Sequence, residues 1–239
     1  MISPDDWPAP EHAACPCWSR RHFLRATVIG GMTGLGAELA APGGALAQST
    51  ASPDAAVQML LDGNRRFVAG RLTSFDEDLA FLKQKTAEKQ EPFAAVLSCA
   101  DSRVPVELVF DQSIGHVFVT RVAGNVATSE LIASLEYGAA VLGTKAIVVL
   151  GHGSCGAVKA TIEAKPVPGQ ISALYRYIRP AVEQARGAGV DAVSKANARI
   201  QADLLRQSSP VLAGLAAKEQ LKVVAAFYDI ASGKVELLD

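Results

Sequence analysis

Short apolar runs recur along the chain and are separated by polar or glycine-containing stretches. The clearest of these runs cover residues 92–98, 116–120, 145–150 and 221–228. Each run is rich in Val, Ile, Leu, Phe and Ala and is shorter than a typical helix. Continuous apolar runs of this length are typical of strands that are buried on both faces of a parallel sheet. Residues 234–238, which follow a turn at Gly233, predict one further strand.

Helical patterns lie before and between these runs. Residues 52–54, Ser-Pro-Asp, form a helix start, and apolar residues then recur at helical spacing as far as Phe67. A second helix is predicted over residues 129–142, between the second and third strands. Ser129 is its expected cap and Gly143 its expected end.

Residues 155–217 are predicted to be largely helical. Prolines should interrupt this segment, and they stand at Pro166, Pro168, Pro180 and Pro210. Strands that alternate with helices predict an α/β fold with a mostly parallel central sheet of about four to five strands, flanked by helices. The helix that begins near residue 52 precedes the first strand and is therefore expected to form an N-terminal helical arm.

Residues 1–47 predict an export signal that is not part of the fold. Arg20 and Arg21 precede a mildly apolar run over residues 26–41, and Ala45-Leu46-Ala47 then gives a small-x-small cleavage site. The paired arginines resemble a twin-arginine signal. This resemblance implies that the protein is exported to the periplasm after it has folded. The run is too polar for a stable membrane anchor. Residues 48–239 are accordingly expected to form one domain, outside the membrane once the signal is removed.

Charge is nearly balanced along the whole sequence. The chain has 23 Lys and Arg against 24 Asp and Glu, a formal net charge of −1. It carries no basic stripe or block of like charges, which argues against nucleic acid or an anionic membrane as a partner. A small molecule is the expected partner.

Two cysteines and a histidine follow two of the predicted strands. Cys99 stands at the end of the first strand, His152 follows the third, and Cys155 comes three residues later. The carboxyl ends of parallel strands meet at one edge of a sheet, so these side chains should converge. A Cys99–Cys155 disulfide is the alternative, but polar neighbours beside both cysteines favour metal ligation. The set predicts one Zn²⁺ per chain, with three protein ligands and one coordination position open.

Asp101 and Arg103 flank the first of these ligands. A carboxylate can only accept hydrogen bonds, so Asp101 would orient a zinc-bound hydroxide, while Arg103 holds that carboxylate ionised in a bidentate fork. Asp101 could instead occupy the fourth zinc position and close the site, and the residue types leave both states open. Two thiolates cancel much of the zinc charge, so activity is expected to favour alkaline pH.

Several segments resemble the β-class carbonic anhydrases, in the same order as in that family. They are residues 63–67 (GNRRF), 99–104 (CADSRV), 121–125 (RVAGN), 134–137 (SLEY) and 151–158 (GHGSCGAV). The resemblance implies reversible hydration of CO2 to bicarbonate and a proton by a homodimer or tetramer. It also implies that Cys99, His152 and Cys155 bind zinc, and that Asp101 and Arg103 are catalytic.

The resemblance extends in part to the substrate pocket. Gln90 stands where one branch of the family has an amide that hydrogen-bonds the substrate, and Phe118, Ala123 and Tyr137 stand at its apolar wall. The other branch has a Trp for an inhibitory bicarbonate site where this chain has Val96. This form of regulation is therefore not expected.

Two other functions remain open from the residues. Related proteins use a similar site to hydrolyse carbonyl sulfide or carbon disulfide, and residue types alone do not separate these substrates from CO2. A non-catalytic zinc- or bicarbonate-binding module is the other alternative. The Asp101–Arg103 pair argues against it, because a purely structural zinc site normally has four protein ligands.

Overall fold

The computed structural model describes residues 49–74 and 79–238. The predicted export signal over residues 1–47 lies outside these ranges, so the signal and the periplasmic location stay predictions. Within the described ranges, no helix is both long and apolar enough to cross a membrane.

Helices and strands alternate along the described part of the chain. The α-helices are α1 (Pro53–Val68), α2 (Leu79–Thr86), α3 (Val106–Val109), α4 (Ser129–Ala140), α5 (Gly156–Glu163), α6 (Tyr175–Gln184), α7 (Val190–Ser208) and α8 (Pro210–Ala217). A short 3₁₀ helix, Ile171–Leu174, precedes α6. The strands are β1 (Ala94–Ser98), β2 (Val117–Arg121), β3 (Ala146–His152), β4 (Lys222–Tyr228) and β5 (Val235–Leu237).

These strands form one sheet in the order β2-β1-β3-β4-β5 over the described residues. The first four strands are parallel, and β5 pairs antiparallel with β4. The predicted α/β fold with a mostly parallel sheet is therefore confirmed. Ser98 pairs with Leu150 of β3, so Cys99 and His152 emerge at the same edge of the sheet.

Apolar side chains cover both faces of the sheet, as the uninterrupted strand pattern predicts. One face packs Val96 and Val148 together with Leu60 of α1. The opposite face packs Leu97 with Leu135 of α4 and with helices α7 and α8. Because consecutive residues of β1 are buried on opposite faces, this strand has no polar alternation.

Two details of the helix predictions were wrong. Pro180 lies inside α6 and does not interrupt it, although proline removes one hydrogen bond from a helix. The neighbouring Ile178 and Ala181 are fully buried, and this packing holds the turn in place. Thr128, not Ser129, is the N-cap of α4, because the backbone of Thr128 is still extended and Ser129 already has helical geometry. The prolines at 166 and 168 lie between helices, and Pro210 begins α8, where a missing N–H costs nothing.

The motif over residues 63–67 ties α1 to the sheet. The Asn64 amide donates to the carbonyl oxygens of Val109, at 3.1 Å, and Gly233, at 2.9 Å. Its side-chain oxygen accepts from the N–H of Val235 at 2.9 Å. Asn64 therefore joins the helical arm to the last strand through fully used hydrogen-bonding groups.

The buried carboxylate of Asp111 pairs with the partly exposed Arg66 of this arm. The side chain of Asp111 is inaccessible to solvent, and the Arg66 Nε lies 2.5 Å from its Oδ2. The backbone N–H groups of Thr73 and Ser74 also donate to the carboxylate at 2.9 Å. Burial alone raises the pKa of Asp111, but these donors lower it to well below the usual range. The charged carboxylate therefore stabilises the fold at neutral pH.

We expect Asp111→Asn to lower the free energy of unfolding by about 2 kcal/mol, because it removes a buried charge that accepts hydrogen bonds from Arg66, Thr73 and Ser74. Asn keeps the shape and tolerates the positive φ of 46° at this position. Urea unfolding measures the change, and Asp62→Asn, at the exposed pair with Arg65, is the matched control with a loss under about 1 kcal/mol. The folded pKa is depressed, so the stabilisation should fade as the pH falls below about 4. If Asp111→Asn and Asp62→Asn lowered the free energy of unfolding equally at neutral pH, the stabilising role assigned to Asp111 would be wrong.

Candidate metal centre

The three predicted ligands converge at the carboxyl edge of the sheet. Cys99 follows β1, His152 is the last residue of β3, and Cys155 caps the N-terminus of α5. Their ligand atoms all lie within 4.8 Å of one another, and all three residues are buried. Both cysteines are free thiols, so the alternative disulfide is not formed.

His152 presents one ring nitrogen to this group. Its Nδ1 lies 2.9 Å from the carbonyl oxygen of Gly153, which requires a proton on Nδ1. The Nε2 is buried and has no hydrogen-bond partner within the described part of the chain. A histidine that donates one N–H to a backbone carbonyl and directs the other nitrogen into a thiol cluster has the arrangement of a metal ligand. The donor set, two sulfurs and one imidazole nitrogen, fits Zn²⁺.

The two thiols interact with each other. A hydrogen bond from the Cys155 thiol lowers the pKa of Cys99, and the same bond raises the pKa of Cys155. A cation that binds between these thiols must displace their protons, so metal binding at this cluster should release protons.

Asp101 and Arg103 lie beside the ligands in the predicted pairing. Arg103 donates from Nε to Oδ1 of Asp101 at 2.9 Å and from Nη2 to Oδ2 at 2.7 Å. This fork holds the pKa of the Asp101 carboxyl well below its usual range. Oδ2 lies 4.0 Å from Nε2 of His152, and the Asp101 side chain is only 17% exposed. An ionised acceptor is thus fixed next to the three ligand atoms.

The loop between His152 and Cys155 is held from two sides. Ser154 has a φ of 53°, and its N–H donates to Asp191 at the start of α7 at 2.8 Å. Its carbonyl oxygen accepts from Nη2 of Arg103 at 3.3 Å. Arg103 therefore connects both ligand loops, since it binds Asp101 on one and Ser154 on the other.

Two further contacts were not predicted from the sequence. The Arg121 guanidinium donates to the carbonyl oxygens of Cys99, at 2.8 Å, and Asp101, at 2.6 Å. The N–H of Gly124 donates to the sulfur of Cys99 at 3.2 Å. Both residues lie in the RVAGN motif, so the motif pointed to the segment but did not indicate these contacts.

The four residues that the resemblance assigns to the substrate pocket lie in two separate regions of the chain. Ala123 lies next to Gly124, near the sulfur of Cys99. Phe118 and Tyr137 pack together with ring centroids 6.3 Å apart, and Gln90 lines a cavity of about 450 Å³ with Tyr137. Phe118 pairs with Ala95, four residues before Cys99. At about 3.3 Å per residue, this places the Phe118 group roughly 13 Å from the ligands along the sheet.

Comparisons with known proteins agree with this site. The family model described as carbonic anhydrase matches residues 94–235. A carbonic anhydrase of Mycolicibacterium smegmatis is 39% identical over 194 residues, which are 78% of this chain and 93% of that protein.

Solved structures show the same architecture. A β-carbonic anhydrase of Coccomyxa, in complex with acetazolamide, is 28% identical with a TM-score of 0.61, over 75% of this chain and 84% of that one. One of two tetrameric β-carbonic anhydrases of Sordaria macrospora shares the fold at 22% identity and a TM-score of 0.61, over 76% of this chain and 96% of that one. With its parallel sheet and its buried cysteine, histidine and cysteine at one edge, this chain belongs to the β-class carbonic anhydrases.

Proposed function

We propose that the protein catalyses the zinc-dependent, reversible hydration of CO2 to bicarbonate and a proton. The observation that carries this proposal is the position of the Asp101 carboxylate. It is held by Arg103 and lies 4.0 Å from the free ring nitrogen of His152, beside three metal-ligating groups. Three protein ligands leave one position for water, and a neighbouring ionised acceptor can orient that water.

Cys99, His152 and Cys155 would hold a zinc ion, which would supply the Lewis acidity that makes a water nucleophilic. Asp101 accepts a hydrogen bond from the attacking water, because a carboxylate has no proton to donate. A lone pair of the water oxygen is then turned toward the carbon of CO2, and the proton that the water loses passes to solvent, because the low pKa of Asp101 makes it a hydrogen-bond acceptor and not a base. Arg103 keeps Asp101 ionised and fixes its rotamer through two parallel bonds.

We further propose that the resting site is open, with Asp101 paired to Arg103 and not acting as a fourth ligand. Closing the site would require Asp101 to give up both bonds of the fork. The backbone N–H of Arg103 also donates to Oδ1 of Asp101 at 3.0 Å, so a third bond opposes that movement.

A homodimer or larger even assembly is part of the same proposal. Strand β2 lies at an edge of the sheet, and Tyr137 beside it is 48% exposed. The group formed by Gln90, Phe118 and Tyr137 lies too far from Cys99 to contact the substrate in the same chain. We propose that a second copy packs on this edge and brings the group to the partner's metal centre.

An assay that compares CO2 with its sulfur analogues tests the proposed substrate. Carbonyl sulfide and water give CO2 and hydrogen sulfide, whereas carbon disulfide requires two waters and releases two hydrogen sulfides. We expect the zinc-loaded full chain to hydrate CO2 with a far higher kcat/KM than it shows for either sulfur compound. Rapid sulfide release together with uncatalysed CO2 hydration would contradict the proposal and assign the sulfur substrate instead.

A further inference from the structure

Two amide side chains are buried in the middle of α7, one helical turn apart. Asn197 is 0% exposed and Gln201 is 1% exposed. Amides buried in this way are costly unless their groups are paired. Gln201 accepts from the N–H of Ala127 at 2.9 Å and donates to the Tyr177 carbonyl and to Asn197. The Asn197 amide donates to the carbonyl oxygen of Gly124 at 2.9 Å.

These bonds converge on one turn, residues 122–127, which follows strand β2. Asn197 binds the turn at Gly124, and Gln201 binds it at Ala127. Gly124 has a φ of 80°, and a Cβ there would lie 2.7 Å from the Cδ1 of Ile178. The position therefore favours glycine for its conformation, and a larger residue would also have to displace the end of the Ile178 side chain. Both amides thus fix the turn through its backbone, at Gly124 and at Ala127.

The turn presents one backbone donor to the metal centre. The Gly124 N–H points at the sulfur of Cys99, at 3.2 Å, while the carbonyl of the same residue is held by Asn197. A hydrogen bond to a thiolate is charge-assisted and withdraws electron density from the sulfur. Groups that orient and polarise a metal ligand in this way control both the affinity for the metal and its electronic properties.

We propose that Asn197 and Gln201 are positioning residues of the metal centre, which hold the 122–127 turn so that the Gly124 N–H donates to Cys99. The inference rests on the proposed zinc site but not on the identity of the substrate. The side chains that set the donor are separated from Cys99 by about a hundred residues of sequence, and they act through the backbone of a third segment. A purely structural role, in which the amides only fasten α7 to the sheet, predicts different results.

Metal affinity separates the two roles. We expect Asn197→Ala to lower zinc affinity by about 10–100-fold, because the released turn no longer orients the Cys99 sulfur or favours its thiolate before the metal binds. Competition with a chromophoric chelator on the full chain measures the change. Gln201→Met, which keeps the volume but loses the polar groups, should lower it in the same direction. Ser194→Ala is the matched control, because Ser194 is buried on the same helix and its hydroxyl donates to the Val190 carbonyl within that helix. It should bind zinc like the wild type.

Cobalt substitution gives a second readout. Loss of the N–H donor raises the energy of the sulfur lone pairs, so the sulfur-to-cobalt charge-transfer band of Asn197→Ala should move to longer wavelength. The band of Ser194→Ala should not move. A structural role alone would lower the thermal stability of the metal-free variants and leave both the zinc affinity and the cobalt band as in the wild type. That result would overturn the proposal.

An ester at position 124 makes the test independent of how well the variants fold. Incorporating glycolic acid in place of Gly124 replaces its N–H with an oxygen and leaves every side chain intact. We expect a fall in zinc affinity and a cobalt band shift in the same direction as for Asn197→Ala, and unchanged values would overturn the proposal. Neither readout uses CO2, so failure of this inference and failure of the proposed CO2 chemistry are separate results.

Discussion

Replacing Asp101 by Asn is expected to lower the rate of CO2 hydration by about 10²-fold, the usual cost of misplacing an attacking group. Asn has nearly the same shape, but its amide carries donors and no charge. It offers Arg103 one acceptor instead of the two in the observed fork. The attacking water would then meet a donor where the proposed mechanism needs an acceptor.

Stopped-flow hydration assays and metal analysis on the same samples measure this effect. Asp203→Asn is the matched control, since Asp203 forms an exposed pair with Arg206 on α7 and lies away from the site. It should hydrate CO2 at the wild-type rate. If Asp101→Asn kept both its zinc and its rate, Asp101 would not be the acceptor. If it lost its zinc, the carboxylate would be a ligand and the open resting site would be wrong.

Replacing Cys155 by Ser is expected to remove both zinc and activity. Apparent zinc-binding free energies of about 10–16 kcal/mol are shared among about four ligands, so one lost thiolate should cost roughly a hundredfold to a thousandfold in affinity. Serine fills nearly the same volume at this buried N-cap of α5, so the fold should persist without the metal.

Three assays test this prediction: zinc content after gel filtration, zinc affinity by chelator competition, and the rate of CO2 hydration. Cys17→Ser is the control with the same chemical change, at a cysteine within the predicted export signal. It should retain full zinc and full activity. Stoichiometric, tightly bound zinc in Cys155→Ser would show that Cys155 is not a ligand and would contradict the assigned donor set.

The sequence was informative about the metal centre because its geometry follows from simple rules. Cys99 and His152 stand at the ends of parallel strands, and parallel strands bring such residues to one edge. Asp101 and Arg103 are two residues apart, so their pairing could be predicted without knowledge of the tertiary structure. The sheet was equally accessible to prediction, because strands buried on both faces leave an unbroken apolar pattern.

The contacts that the sequence did not predict are all tertiary. From the sequence, Asn197 and Gln201 are two amides one turn apart on α7. The sequence around them does not indicate that they bind the turn at Gly124. Pro180 stayed inside a helix because distant packing outweighs one missing hydrogen bond. Phe118 and Tyr137, which the resemblance assigns to the substrate pocket, contact each other. The sequence alone could not show that they lie away from Cys99.

Zinc-dependent CO2 hydration is tested most directly by its rate. The rate is measured on the zinc-loaded full chain from neutral to alkaline pH, before and after removal of zinc. We expect a rate far above the uncatalysed one that rises with pH, because two thiolates weaken the acidifying effect of zinc on water. The rate should disappear with the metal and return when zinc is restored. If the protein bound stoichiometric zinc but CO2 hydration stayed at the uncatalysed rate at every pH, the proposed zinc-dependent hydration would be wrong.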